Sequence, residues 1–63
     1  MIYLKVRKYG WKTNPHLGEM TAWCREMNIA YDRLGHLFMF EDEGNAILFY
    51  LRWSEECHEM PKK

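Results

Sequence analysis

The chain has 63 residues and carries nine Lys plus Arg against nine Asp plus Glu, a formal net charge of zero. That length leaves room for one domain, which buries roughly 60% of the surface its unfolded chain exposes, and the neutral balance argues against a general nucleic-acid binder, which shows a basic excess. Three Trp, four Tyr, three Phe and five Met supply side chains large enough for a short chain to build a core, on the order of 150–250 Å² for each aromatic, and exclude the profile of a disordered chain.

No basic segment precedes an apolar run of signal-peptide length, and no stretch approaches the roughly 18 apolar residues of a membrane helix. The expected location is therefore the cytoplasm, with no membrane contact. In that compartment Cys24 and Cys57 are expected as free thiols and not as a disulfide scaffold.

Taken in order, residues 2–8 read as a strand. Ile2, Leu4 and Val6 alternate with Tyr3, Lys5 and Arg7, giving an aliphatic face and a basic, aromatic one. Gly10 ends it, and residues 9–13 form a loop. Asn14 followed by Pro15 predicts a helix start, Asn as N-cap and Pro at the first helical position. Leu17, Met20, Cys24 and Met27 recur at helical spacing with Trp23 beside them, which predicts an amphipathic helix of about 13 residues. Gly18 weakens it by roughly 0.5–1 kcal/mol relative to Ala. Asn28 suits the left-handed residue that stops a helix, with Ile29 as the following apolar contact. From Ile29 to Phe40 the pattern is extended on both sides of Leu34-Gly35, which predicts a tight hairpin whose positive φ falls on Gly35.

Residues 39–53 admit two readings. In one, Ala46–Trp53 is a strand paired with Phe38–Glu41 across a turn at Glu43-Gly44, with Ile47, Phe49, Leu51 and Trp53 on one face; the β-prone run from Ile47 to Leu51 favours it slightly. In the other, Asp42 caps a helix from Glu43 to about Trp53. Ala46, Phe49, Tyr50 and Trp53 then share one face, with Asn45 and Arg52 toward solvent. Residues 55–63 read as a polar tail beyond a single domain of residues 1–54.

The run Phe40-Glu-Asp-Glu-Gly-Asn-Ala-Ile-Leu-Phe-Tyr-Leu-Arg-Trp53 resembles the C-terminal signature of small proteins encoded by tailed bacteriophages. The matching positions are Phe40, Asp42, Ala46, Phe49, Leu51, Arg52 and Trp53; Asn45 stands where the family often has an acidic residue. The resemblance implies phage origin, the host-cell cytoplasm and a helical ending. With that ending the fold is an α+β β-α-β-β-α unit, a three-stranded antiparallel sheet with helices on one face, similar to a ferredoxin-like unit lacking its last strand. The alternative is β-α-β-β with a C-terminal hairpin.

Constellations for chemistry are absent. His16, His36, His58, Cys24 and Cys57 lack Cys-x-x-Cys or His-x-x-x-His spacing, so neither a metal nor any other cofactor is expected. Glu41, Asp42 and Glu43 read as a cap and solvated turn, and no phosphate loop or nucleophile motif occurs. The expectation is a non-enzymatic protein. Phe38 and Phe40 point to one face of their strand and Leu37 and Met39 to the other, so helices on one side leave two large apolar side chains uncovered. Such a patch marks a partner site. We assign it to Tyr3, Lys5, Arg7, Tyr9, Trp11, Phe38 and Phe40, with Lys8 and Lys12 extending its basic character. The expected function is protein–protein binding, to a host factor, a defence factor or a second copy. A single-stranded nucleic-acid platform is the alternative.

Overall fold

Alternating aliphatic residues build the first strand, β1 (Ile2–Lys5), in which Ile2 and Leu4 are buried while Tyr3 and Lys5 are exposed. The computed structural model of the protein describes residues 1–57. After β1 the order is helix α1 (Leu17–Glu26), strands β2 (Asp32–Leu34) and β3 (Leu37–Phe40), helix α2 (Glu43–Arg52) and a short 3-10 turn, Ser54–Glu56. The three strands form one sheet in the order β1-β3-β2, with β3 antiparallel to both neighbours. β1 and β2 therefore run parallel with β3 between them, a split β-α-β unit. This is the expected β-α-β-β-α arrangement.

The capping chemistry explains the helix ends. Asn28 takes φ 58°, its N–H donates to the Arg25 carbonyl, and the Ile29 N–H donates to the Cys24 carbonyl at 2.8 Å. These two bonds close a Schellman motif, and Ile29 is buried beyond it. Met27, expected on the core face, is instead exposed at the helix C-cap. The start of α1 also differs from expectation. The helix opens at Leu17, because the Asn14 side-chain oxygen accepts from the His16 N–H at 2.8 Å and its carbonyl accepts from the Leu17 N–H at 3.3 Å. Residues 14–16 are thus spent on a tight turn, and α1 has 10 residues, fewer than the spacing predicts.

Between β2 and β3, Leu34 pairs with Leu37, leaving Gly35-His36 as a two-residue turn. Gly35 has φ 62°, the left-handed value a tight hairpin requires at its first central residue.

Residues 43–52 are helix, which decides between the two readings of that stretch. Asp42 is its N-cap in extended backbone, and its side chain accepts from the Asn45 N–H at 3.1 Å. Ala46, Phe49 and Trp53 are buried on the inward face. The Phe49 ring lies 4.7 Å from Phe38 and 5.4 Å from Phe40, and Trp23 of α1 meets it edge-on at 6.2 Å. Ile2, Leu4 and Val6 join Leu17, Met20 and Cys24 of α1 in the same cluster. Both helices therefore lie on one side of the sheet, and aromatic packing joins the layers.

The folded unit runs past Trp53. Glu55, Glu56 and Cys57, expected in a polar tail, are placed by the 3-10 turn and by an antiparallel bridge from Cys57 to Val6, with the Arg7 N–H donating to the Glu56 carbonyl at 2.7 Å. The remainder of that tail, 58–63, with the Cys57-His58 pair completed by His58, lies outside the described residues.

Candidate interaction surface

Strand register dictates what the side of the sheet away from the helices presents. Tyr3 pairs with Met39 and Met39 with Asp32, forming one row across the three strands. Lys5 pairs with Leu37 and Leu37 with Leu34, forming the next. Directly opposed residues point to the same side, so this face is Tyr3, Met39, Asp32, Lys5, Leu37 and Leu34. Leu37 and Met39 are half-buried at its centre, and Leu34 is 73% exposed at the edge. The face is polar at its corners in a definite sense. Lys5 and Lys8 line a shallow depression at one end with Leu34 and Leu37, while Asp32, Glu41 and Asp42 line another at the opposite end with Met1 and Met39.

The residues assigned to this surface from sequence fall in four places. Tyr3 and Lys5 are on it. Phe38 and Phe40 are not: they pair with Leu4 and Ile2 and are fully buried under α2. Their rings carry more apolar area than Leu37 and Met39, so burying them is the more favourable phase of the strand. Leu37 and Met39 are the residues that the same alternation leaves outward. Leu34 and Asp32 carried no signal, because only the hairpin register places them on this face.

Trp11 lies at the tip of a second tight turn. Tyr9 and Lys12 exchange backbone hydrogen bonds of 3.1 and 3.0 Å around Gly10-Trp11, with Gly10 at φ 64°. Trp11 is 90% exposed, and the Lys12 ammonium lies 5.3 Å from its ring centroid.

Arg7 and Tyr9 belong to a structural network instead. Asn14, only 2% exposed, is its centre. Its side-chain amide donates to the Arg7 carbonyl and to Glu56 Oε1, both at 3.0 Å, and its N–H donates to His36 Nε2 at 3.0 Å. The Tyr9 hydroxyl donates to the same Glu56 oxygen at 3.0 Å, and the Arg7 guanidinium lies 5.1 Å from the Tyr9 ring centroid. The hydrogen bond from Asn14 holds the Glu56 carboxyl below its ordinary value, helped by Tyr9, His16 and Arg7 against a desolvation that raises it. The bond to Glu56 in turn raises the Tyr9 phenol. The network ties the end of β1, the start of α1 and the 3-10 turn together through the Arg7 backbone and the Tyr9 hydroxyl, while both side chains remain exposed beside the open face.

Burial pushes the Cys24 thiol up to about 11, and burial with the nearby Glu56 charge does the same for Cys57. Both are protonated at neutral pH and are poor nucleophiles. Among the described residues, no three His, Cys, Asp or Glu side chains come together in a way that could hold a metal ion, and no helix is long and apolar enough to cross a membrane. Compared with protein-family models, curated proteins and solved structures, the chain matches none of them.

Proposed function

We propose that this is a non-enzymatic accessory protein of phage type that acts in the host cytoplasm by binding a protein through the uncovered face of its sheet. One observation carries the reading: with both helices on the other side, Leu37 and Met39 form an apolar centre facing outward between Lys5 and Asp32. An uncovered apolar centre with polar corners is the anatomy of a protein interface, and Met and aromatic residues are enriched in interface cores. The fitting partner is a protein surface with an apolar segment, acidic where it meets Lys5 and Lys8 and basic where it meets Asp32. The phage assignment rests on the Phe40–Trp53 resemblance. Single-stranded nucleic acid is the weaker reading, because Tyr3 is the one aromatic ring among the six paired open-face residues and Leu and Met give no stacking platform.

The test is capture from a bacterial lysate on the immobilised protein, followed by Leu37→Glu and Trp11→Ala. A specific species that binds the parent and is reduced at least tenfold by Leu37→Glu is the expected result, with the Trp11 change reporting whether the partner reaches the turn. Capture unaffected by Leu37→Glu would sink the assignment. Salt-sensitive binding of oligonucleotides in a fluorescence titration would transfer it to the nucleic-acid reading.

A further inference from the structure

The outer side of α2 is apolar as well as its inner side. Gly44, Ile47, Leu48 and Leu51 recur at i, i+3, i+4 and i+7, the spacing of a buried helical stripe. Yet Ile47 and Leu48 are each 46% exposed and Leu51 67%. The charged residues within α2 are Glu43 at its start and Arg52 at its end, so no charge solvates the stripe along its middle. The outward residues of α1 contrast with this: Glu19, Arg25 and Glu26 are charged and exposed. A helix apolar on both sides is one that is covered on both sides.

We infer that the outer stripe of α2 packs against the same stripe of a second copy, antiparallel, about a two-fold axis passing between Ile47 and Leu48. The stripe is self-complementary about that point. The axis brings Ile47 and Leu48 of both copies together at the centre. It sets Leu51 of each copy over Gly44 of the other, where the missing side chain leaves room for it; a Cβ at Gly44 would meet only the Asp42 carboxylate of its own chain within 4 Å. It also places the acidic first turn of each helix, Asp42 and Glu43, level with the basic last turn of the other, at Arg52. Antiparallel packing thus sets unlike helix ends at the same level and the two helix dipoles against each other, with the Arg52 guanidinium 4.1 Å from its own Trp53 ring centroid, whereas a parallel pair would bring like ends together. A two-fold contact needs one self-complementary patch, which is what α2 presents. Two ten-residue helices bury less than the roughly 1,200 Å² of a standard interface, so the dimer dissociates on dilution. The open sheet face is on the other side of the molecule, so the dimer leaves it free.

Sedimentation velocity on the full chain across a hundredfold concentration range tests this. The parent should shift from monomer to dimer as concentration rises. Leu48→Glu and Leu51→Glu, both at exposed positions, should remain monomeric throughout while keeping the parent's circular dichroism. Leu37→Glu, on the sheet face, should dimerise like the parent. Leu48→Cys, next to the axis, should form a disulfide-linked dimer under mild oxidation more than tenfold faster than Glu19→Cys. A parent that stays monomeric at millimolar concentration overturns the inference. So does a dimer that survives Leu48→Glu and Leu51→Glu, or one that Leu37→Glu abolishes.

Discussion

Asn14 shows how one side chain sets a local structure. Its amide and carbonyl are all engaged, to Arg7, Glu56, His36 and His16, and a buried polar group so satisfied contributes specificity where an unsatisfied one would cost about 1–3 kcal/mol. The acceptor it depends on is Glu56, whose carboxyl is depressed by that same bond. A depressed carboxylate contributes stability that is fully present above the unfolded value, 4.5, and is lost as pH falls through the lower folded value. Glu56→Gln should therefore be less stable than the parent at pH 7, and the difference should narrow on acidification, as read by denaturant unfolding at pH 7 and pH 3. An unchanged difference would mean that the carboxylate contributes nothing through its charge. Gly18 is the opposite kind of residue. A Cβ there meets nothing within 4 Å and its φ is not positive, so Gly18→Ala should stabilise by about 0.5–1 kcal/mol. That should raise the thermal midpoint by several degrees.

At the scale of the element, α2 organises the fold. It packs its inward face across β1 and β3, and Phe49 is the point where α2 meets both the sheet and α1. Replacing a buried Phe with Ala costs about 3–5 kcal/mol. A chain of this length has roughly 3–9 kcal/mol of total stability, at about 0.05–0.15 kcal/mol per residue. Phe49→Ala should therefore remove at least about a third of the stability, seen as a large fall in the midpoint of the loss of helical circular dichroism. A cooperative transition near the parent's midpoint would show that the aromatic cluster is not the principal source of stability. The same helix carries an exposed residue, Leu51, at which substitution should change stability by less than about 0.5 kcal/mol, so its effect on association is separable from any effect on folding.

At the scale of the molecule, the two thiols report on two depths. Cys24 is fully buried in the core, while Cys57 sits half-buried in the bridge that joins the chain's last described residue to Val6. With both thiols raised to about 11, neither should react with a thiol reagent at pH 7 at the rate of a free cysteine. Cys57 should label first, by local opening of its bridge, and Cys24 only with global unfolding. Immediate stoichiometric labelling of Cys24 would contradict the packing of α1. The molecule as a whole is asymmetric in its layers: aromatic packing fills one side of the sheet, and the other carries Leu37 and Met39, half-buried, with both helices on the opposite side.

Much of this was legible in the residues. Alternation marked β1, Asn28 marked the end of α1, and Gly35 marked the hairpin, because each is a local requirement of backbone geometry that a single residue type satisfies. The choice between helix and strand at 43–52 was not legible, since Ile47 to Leu51 suit either conformation; the Asp42 cap and the packing of Phe49 between Phe38, Phe40 and Trp23 decide it. Nor could periodicity assign Phe38 and Phe40 to the core and Leu37 and Met39 to the surface. Alternation gives two sets of residues per strand, and only the pairing of Ile2 with Phe40 and Leu4 with Phe38 says which set faces the helices. The same holds for the Asn14 network, because its acceptor Glu56 lies 47 positions from the Tyr9 hydroxyl and 42 from Asn14. What the chain by itself determined is therefore the features that one local pattern or residue type fixes, the alternation of β1, the Asn28 stop and the Gly35 turn, while β1 ends at Lys5 and not at Lys8 and α1 starts at Leu17. Which faces are covered and which are left to bind was decided by tertiary structure, because burial depends on contacts between residues distant in sequence.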